Sequence, residues 1–209
     1  MVKRALLYGD SNTHGTEPYA SLFDPPRRFA RDVRWPGVAA AMLGPGWELI
    51  EEGLPGRTTV FADPVEGAHL DGLAVLPAVL KSHVPLDACV IMLGTNDLKA
   101  RFGPSATEVA QGAARLLRAV AFHCPGLPVL LVAPPCPRGV APFSEIFRDS
   151  DVRGAGLGAA FAAQAERFGA RCLDAGTVIE VGSDGVHFGP EAHAALGHAI
   201  AKELAALVA

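Results

Sequence analysis

Charge is sparse in this chain: Asp, Glu, Lys and Arg make up 19% of 209 residues, and the formal net charge is −4. A clustered basic surface, the footprint of a nucleic-acid binder, is missing. The basic runs are Arg27-Arg28 and Arg31 to Arg34, short enough to be solvated, and no nucleic-acid partner is expected. No apolar run approaches the roughly 20 residues of a membrane span, so no membrane association is expected either. The run Ala5-Leu6-Leu7-Tyr8 after Lys3-Arg4 is too short for a signal-peptide core. Cysteine is scarce as well. Cys89, Cys124, Cys136 and Cys172 show no C-x-x-C pairing, which argues against a zinc site or a disulfide framework and for a reducing cytoplasm. Neither G-x-G-x-x-G nor G-x-x-x-x-G-K-[ST] follows the first apolar run, and a nucleotide-binding reading fails there. Internal repeats and low-complexity tracts are lacking too.

What is present is a globular composition. Half of the residues are hydrophobic, far from the signature of disorder, and the length suits one domain spanning 1–209. Short apolar runs alternate with helical stretches. Strands are predicted at Val2 to Tyr8, Trp47 to Glu52, Ala88 to Leu93, Pro128 to Ala133 and Arg171 to Asp174. The central runs, such as Cys89-Val90-Ile91-Met92-Leu93, are continuous rather than alternating, as in strands covered on both faces. Helices are predicted at Trp35 to Leu43, Leu73 to Ser82, Ala106 to His123, Leu157 to Phe168 and Pro190 to Val208. Ser105 suits an N-cap and Pro190 a first helical turn. The alternation implies an α/β fold of three layers around a largely parallel sheet. Two long irregular segments, Gly15 to Asp32 and Ala133 to Asp149, are candidates for functional or oligomer contacts.

In a doubly wound sheet, ligands bind beyond the carboxyl ends of the strands. Reading just past each strand finds Gly9-Asp10-Ser11-Asn12-Thr13-His14-Gly15, then Gly53-Leu54-Pro55-Gly56-Arg57-Thr58-Thr59, then Gly94-Thr95-Asn96-Asp97. After the fifth strand comes Asp184-Gly185-Val186-His187. The residue types form a working set. A serine hydroxyl needs a base within reach before it attacks, and His187 is a suitable one. Asp184, three residues earlier, is placed to orient that imidazole. The N–H groups of Ser11 and Gly56 and the Asn96 amide are candidate donors to a developing oxyanion. Each piece is weak alone: Gly-Asp-Ser should occur by chance in roughly 5% of chains this long. Their joint order at successive strand ends is the signal.

These blocks resemble those of the SGNH (GDSL) hydrolase superfamily, named for the Ser, Gly, Asn and His of its site. Arg34-Trp35-Pro36-Gly37, Glu51-Glu52-Gly53-Leu54, Arg57-Thr58-Thr59, Leu76-Pro77, Ile91 to Lys99 and Pro134-Pro135 are similar to the arylesterase/acyltransferase branch. The resemblance implies a flavodoxin-like fold with five parallel strands in the order 2-1-3-4-5. It implies Ser11 as nucleophile, Asp184 and His187 as its partners, and Gly56 and Asn96 as completing the oxyanion hole. It further implies hydrolysis of small short-chain or aryl esters, with acyl transfer to alcohols or peroxide, no metal and no cofactor, in a homo-oligomer. Phe143 and Phe147 match a segment that shapes the acyl pocket.

Asn12 and Pro55 depart from the branch pattern and are expected at the mouth of the site. Thr95 and Val186 are further candidate substrate contacts. Lys99 and Arg57 are open between orienting a polar substrate and ordinary salt-bridged roles. His14 lies closest in sequence to Ser11, while His193 and the other histidines read as surface or helix residues, and Asp97 as a turn cap. Two alternatives of other classes stand beside the esterase. One is a metal-dependent phosphoesterase with Asp10, Asp97, Asp184 and His187 as ligands, and the other a non-catalytic α/β binding module.

Overall fold

The computed structural model describes residues 2–209. Five parallel strands, β1 (Lys3–Gly9), β2 (Trp47–Gly53), β3 (Ala88–Met92), β4 (Val129–Ala133) and β5 (Arg171–Asp174), lie in the order β2-β1-β3-β4-β5. This is the order the resemblance implies, with the switch point between β1 and β3. All five residues of β3 and of β4 are buried, which is why those segments read as unbroken apolar runs. Alternate side chains feed two cores. Leu6, Tyr8, Ile91 and Leu131 face one layer, formed by α3 (Gly72–His83), α4 (Ala106–His123) and α6 (Leu157–Phe168). Leu7, Val90 and Leu130 face the other, formed by α2 (Trp35–Leu43) and α7 (Pro190–Leu207). Truncating one of the large buried side chains to alanine costs about 2–5 kcal/mol.

The helix signals act as expected. Ser105 and Glu108 form a reciprocal capping box on α4, and Pro190 opens α7. Element limits differ from the predicted ones by a residue or so, where chain ends enter turns. Two single turns of helix, α1 (Ser11–His14) and α5 (Ser150–Arg153), are too short to carry a period and escape a sequence reading. His193 is on a helix but not at the surface: its ring is fully buried, between α7 and α2, where Nδ1 accepts the Trp35 N–H at 3.3 Å. Burial, together with the charges of His187 and Arg34, lowers its pKa to about 4. No helix among the described residues is long and apolar enough to cross a membrane.

Candidate active site

The chain leaves β1 directly into α1. Asp10, between them, is extended and accepts the Asn12 N–H at 2.9 Å, an N-cap arrangement that aspartate favours. Ser11 is thereby presented above the strand end. The turn sits close over β2 because residue 53 is glycine: a Cβ there would lie 2.3 Å from the His14 nitrogen.

A second local turn places the imidazole. Asp184 Oδ1 accepts the N–H groups of Val186 (2.9 Å) and His187 (2.8 Å), a self-contained Asx-type turn. Its Oδ2 accepts the Tyr19 N–H at 2.9 Å and stands 2.7 Å from His187 Nδ1. With Nδ1–H directed at the carboxylate, Nε2 is the acceptor, and it lies 3.1 Å from Ser11 Oγ. Carboxylate, imidazole and hydroxyl form one hydrogen-bonded series able to draw the proton from the serine. Asn12 locks the two turns together. Its Nδ2 donates to Val186 O and its Oδ1 accepts the Phe188 N–H, both at 3.1 Å.

The opposite flank is built from the ends of β2 and β3. Gly56 has φ +85°, a left-handed conformation that suits glycine. Asn96 Nδ2 donates to Arg57 O at 3.1 Å and lies 3.5 Å from Asp10 Oδ2. Arg57 is buried. Its guanidinium donates to Gly9 O (2.9 Å) and to Glu52 O, and lies 4.1 Å from the Tyr8 ring centre. Asp97 does not cap its own turn but accepts the Thr59 N–H at 3.0 Å and the Thr59 hydroxyl. Among the described residues, the N–H groups of Ser11 and Gly56 have no hydrogen-bond partner.

Ser11, His187, Gly56 and Asn96 all line one cavity of about 250 Å³. That is below the roughly 300–1,000 Å³ of drug-sized sites, so it suits a small group. Phe143, Phe147, Val186 and Pro55 line it as expected. The Phe143 ring centre is 5.7 Å from those of Tyr19 and His187, and the Tyr19 ring is 5.5 Å from His187.

Comparison with known proteins bears on the family and the fold. Residues 7–195 match the model of the GDSL-like lipase/acylhydrolase family. The chain belongs to that family. The structure of an M. smegmatis aryl esterase is similar over 99% of this chain and 100% of that one, at 39% identity and a TM-score of 0.93. A carbohydrate acetylesterase from Sinorhizobium meliloti gives 38% identity and 0.92, covering 98% and 99% of the two chains. A carbohydrate acetylesterase family member from the same organism gives 33% and 0.91, covering 99% of each. No curated protein sequence matches the chain.

Within this GDSL-like fold, two expected pocket residues are placed elsewhere. Asn12 and Thr95 are fully buried and do not line the cavity. Asn12 has both ends of its amide engaged by the backbone at 186–188. Conversely, Thr16, Tyr19, Leu22, Glu66, Ile146 and Lys99 line the cavity. The long loop from Gly15 was the one signal for the first three, and Glu66 had none. The four acidic and imidazole groups of the metal alternative do not converge. Among the described residues no three His, Cys, Asp or Glu side chains are placed to hold an ion, and Asp184 and His187 engage each other.

The carboxyls of the site are tuned in opposite directions. Burial would raise Asp184, but the bonds and charge from His187 and the Tyr19 N–H outweigh it and hold the carboxyl below its ordinary range. Burial dominates at Asp10 and Asp97, and each is pushed up to about 6.

Proposed function

We propose that this GDSL-family protein is a serine esterase acting on small short-chain or aryl carboxylic esters, through one domain spanning 1–209. The observation that carries the reading is the series Asp184–His187–Ser11 opening into a small cavity. Ser11 Oγ attacks the carbonyl carbon as its proton passes to His187 Nε2. The carbonyl oxygen becomes an oxyanion, received by the Ser11 and Gly56 N–H groups and the Asn96 amide. Collapse breaks the bond to the alkoxy oxygen, which takes the proton back from His187. Water, activated by His187, then cleaves the acyl-serine; an alcohol or peroxide in its place gives acyl transfer. Asp184 stays ionised throughout, orienting the ring and stabilising the imidazolium.

Phe143 and Phe147 form the acyl wall in this reading. Turnover of p-nitrophenyl esters should then fall steeply from acetate toward long acyl chains, and a flat chain-length profile would remove that wall from the account. Leu22 and Phe23, half or more exposed beside the mouth, support a homo-oligomer. Four free thiols support a reducing cytoplasm. The deciding experiment is Ser11→Ala on p-nitrophenyl acetate. Activity should fall by about 10⁴-fold or more while the fold is retained, and near-normal turnover would overturn the proposal.

A further inference from the structure

The buried cations near Gly56 and Asn96 are held in two different ways. Lys99 Nζ donates to Glu66 Oε1 at 2.7 Å and lies 3.5 Å from Asp63 Oδ2, and Arg101 engages the same two carboxylates. Those charges are paired. Arg57 is as buried as Lys99, each 4% exposed, but among the described residues no carboxylate pairs with it. Burying an unpaired charge is costly. Two backbone carbonyls and an aromatic face take the place of a counter-ion. Nη1 donates to Gly9 O at 2.9 Å and to Glu52 O, and the guanidinium carbon lies 4.1 Å from the Tyr8 ring centre. Nε is buried without a partner among the described residues. The placement therefore serves the two carbonyls rather than the guanidinium's own hydrogen bonds.

Both carbonyls stand where strands end. Glu52 lies at the carboxyl end of β2, and Gly9 closes β1 and leads into Asp10-Ser11. Gly9 O also accepts the Leu54 N–H at 3.1 Å, so two bonds tie it to the segment 54–57. Within that segment the Arg57 N–H donates to Leu54 O at 3.1 Å. This closes a tight turn with Pro55 and Gly56 at its centre, the pair that a type II turn favours, and Gly56 has φ +85° there. The Arg57 carbonyl in turn accepts Asn96 Nδ2 at 3.1 Å, which fixes the plane of an amide that has a second N–H to give. One residue thus ties the Gly56 turn and the Asn96 amide to the strand end that presents Ser11. Donors to an oxyanion work only when they are preorganised, and a misplacement of about 1 Å can cost roughly 10²-fold in rate.

We propose that Arg57 is a positioning residue for the oxyanion hole, holding the Gly56 turn and the Asn96 amide in register with the strand end that carries Ser11. This rests on the esterase reading above. The test measures kcat and KM on p-nitrophenyl acetate, with the melting temperature, for wild type, Arg57→Met and Arg57→Lys. It adds the inhibition constant of phenyl trifluoromethyl ketone, whose carbonyl carbon Ser11 attacks to leave a hemiketal oxyanion. Arg57→Met should lower kcat about 10- to 100-fold with KM within about three-fold of wild type, the pattern of an interaction lost only in the transition state. The inhibition constant should rise by the factor that kcat/KM falls. Arg57→Lys keeps the charge and can donate to two carbonyls but lacks the planar fork, and its loss should lie between the two. An unchanged kcat in a folded variant, a change in KM alone, or an inhibition constant that stays at the wild-type value would overturn the proposal. So would failure of both variants to fold, which would make Arg57 a residue of the fold alone. A wild type no more active than Ser11→Ala would instead overturn the esterase reading.

Discussion

Asp184 and Asp10 are the same side chain on two sides of Ser11, almost equally hidden from solvent, and their acidities move in opposite directions. Asp184 accepts three backbone N–H groups and the imidazole Nδ1. Asp10 accepts the Asn12 N–H and stands at the limit of reach from Asn96 Nδ2. Low solvent exposure by itself therefore does not set the direction in which a carboxyl's pKa moves. The number and quality of donors decides, because each bond to the charged form offsets part of the desolvation cost. One flank is built to hold a fixed negative charge against an imidazolium. The other holds carboxyls whose charge is costly, in the region that receives the oxyanion in the proposed esterase mechanism.

The largest effects should test the ionised flank. Asp184→Asn leaves the shape but removes the charge facing His187, and kcat on p-nitrophenyl acetate is expected to drop by about 10⁴-fold. Asp10→Asn should cost far less, since Asp10 reaches the chemistry only through the Ser11 turn and Asn96. Similar losses for the two variants would erase the distinction. Next comes the receiving flank. Asn96→Ala should lower kcat by about 10²- to 10³-fold, the usual effect of losing one oxyanion donor. A change in KM alone would make Asn96 a binding residue instead.

The smallest effect is on stability. A carboxyl whose pKa is raised on folding, as at Asp97, stabilises the fold through its protonated form. That contribution is complete below the ordinary value of 3.8 and is lost as pH rises through about 6. Urea unfolding of Asp97→Asn relative to wild type should therefore improve by about 1 kcal/mol from about pH 5 to about pH 8. Asp184 has the opposite sign: its contribution is present above 3.8 and is lost as pH falls through its lowered pKa. A pH-independent difference for Asp97→Asn would mean that Asp97 ionises normally.

Much of this was legible in the chain. Strands β3 and β4 announced themselves as unbroken apolar runs because both faces are covered, and Ser105 marked α4 by local capping chemistry. Ser11, Gly56, Asn96 and His187 were found by reading past strand ends, since a parallel sheet gathers those ends at one edge. Asp184 was found because its partner is three residues away. The misses share a cause. Asn12 looked like a mouth residue beside the serine, but its amide is taken up by the backbone at 186–188. Tyr19 reaches Asp184 across 165 residues. Glu66 enters the cavity from a turn with no catalytic residue in it.

The strand order came only with the resemblance to a known family; read residue by residue, the sequence determined the order of elements and the identity of the groups just past the strand ends. These follow from local periodicity, capping and spacing, which act over a few residues. Tertiary structure alone decided which carboxyl is held below its ordinary pKa range and which above it, which amide faces the cavity and which locks two turns together, and where the cavity is aromatic or charged. Those outcomes depend on desolvation and on donors brought from distant parts of the chain, neither of which is encoded in any short stretch of it.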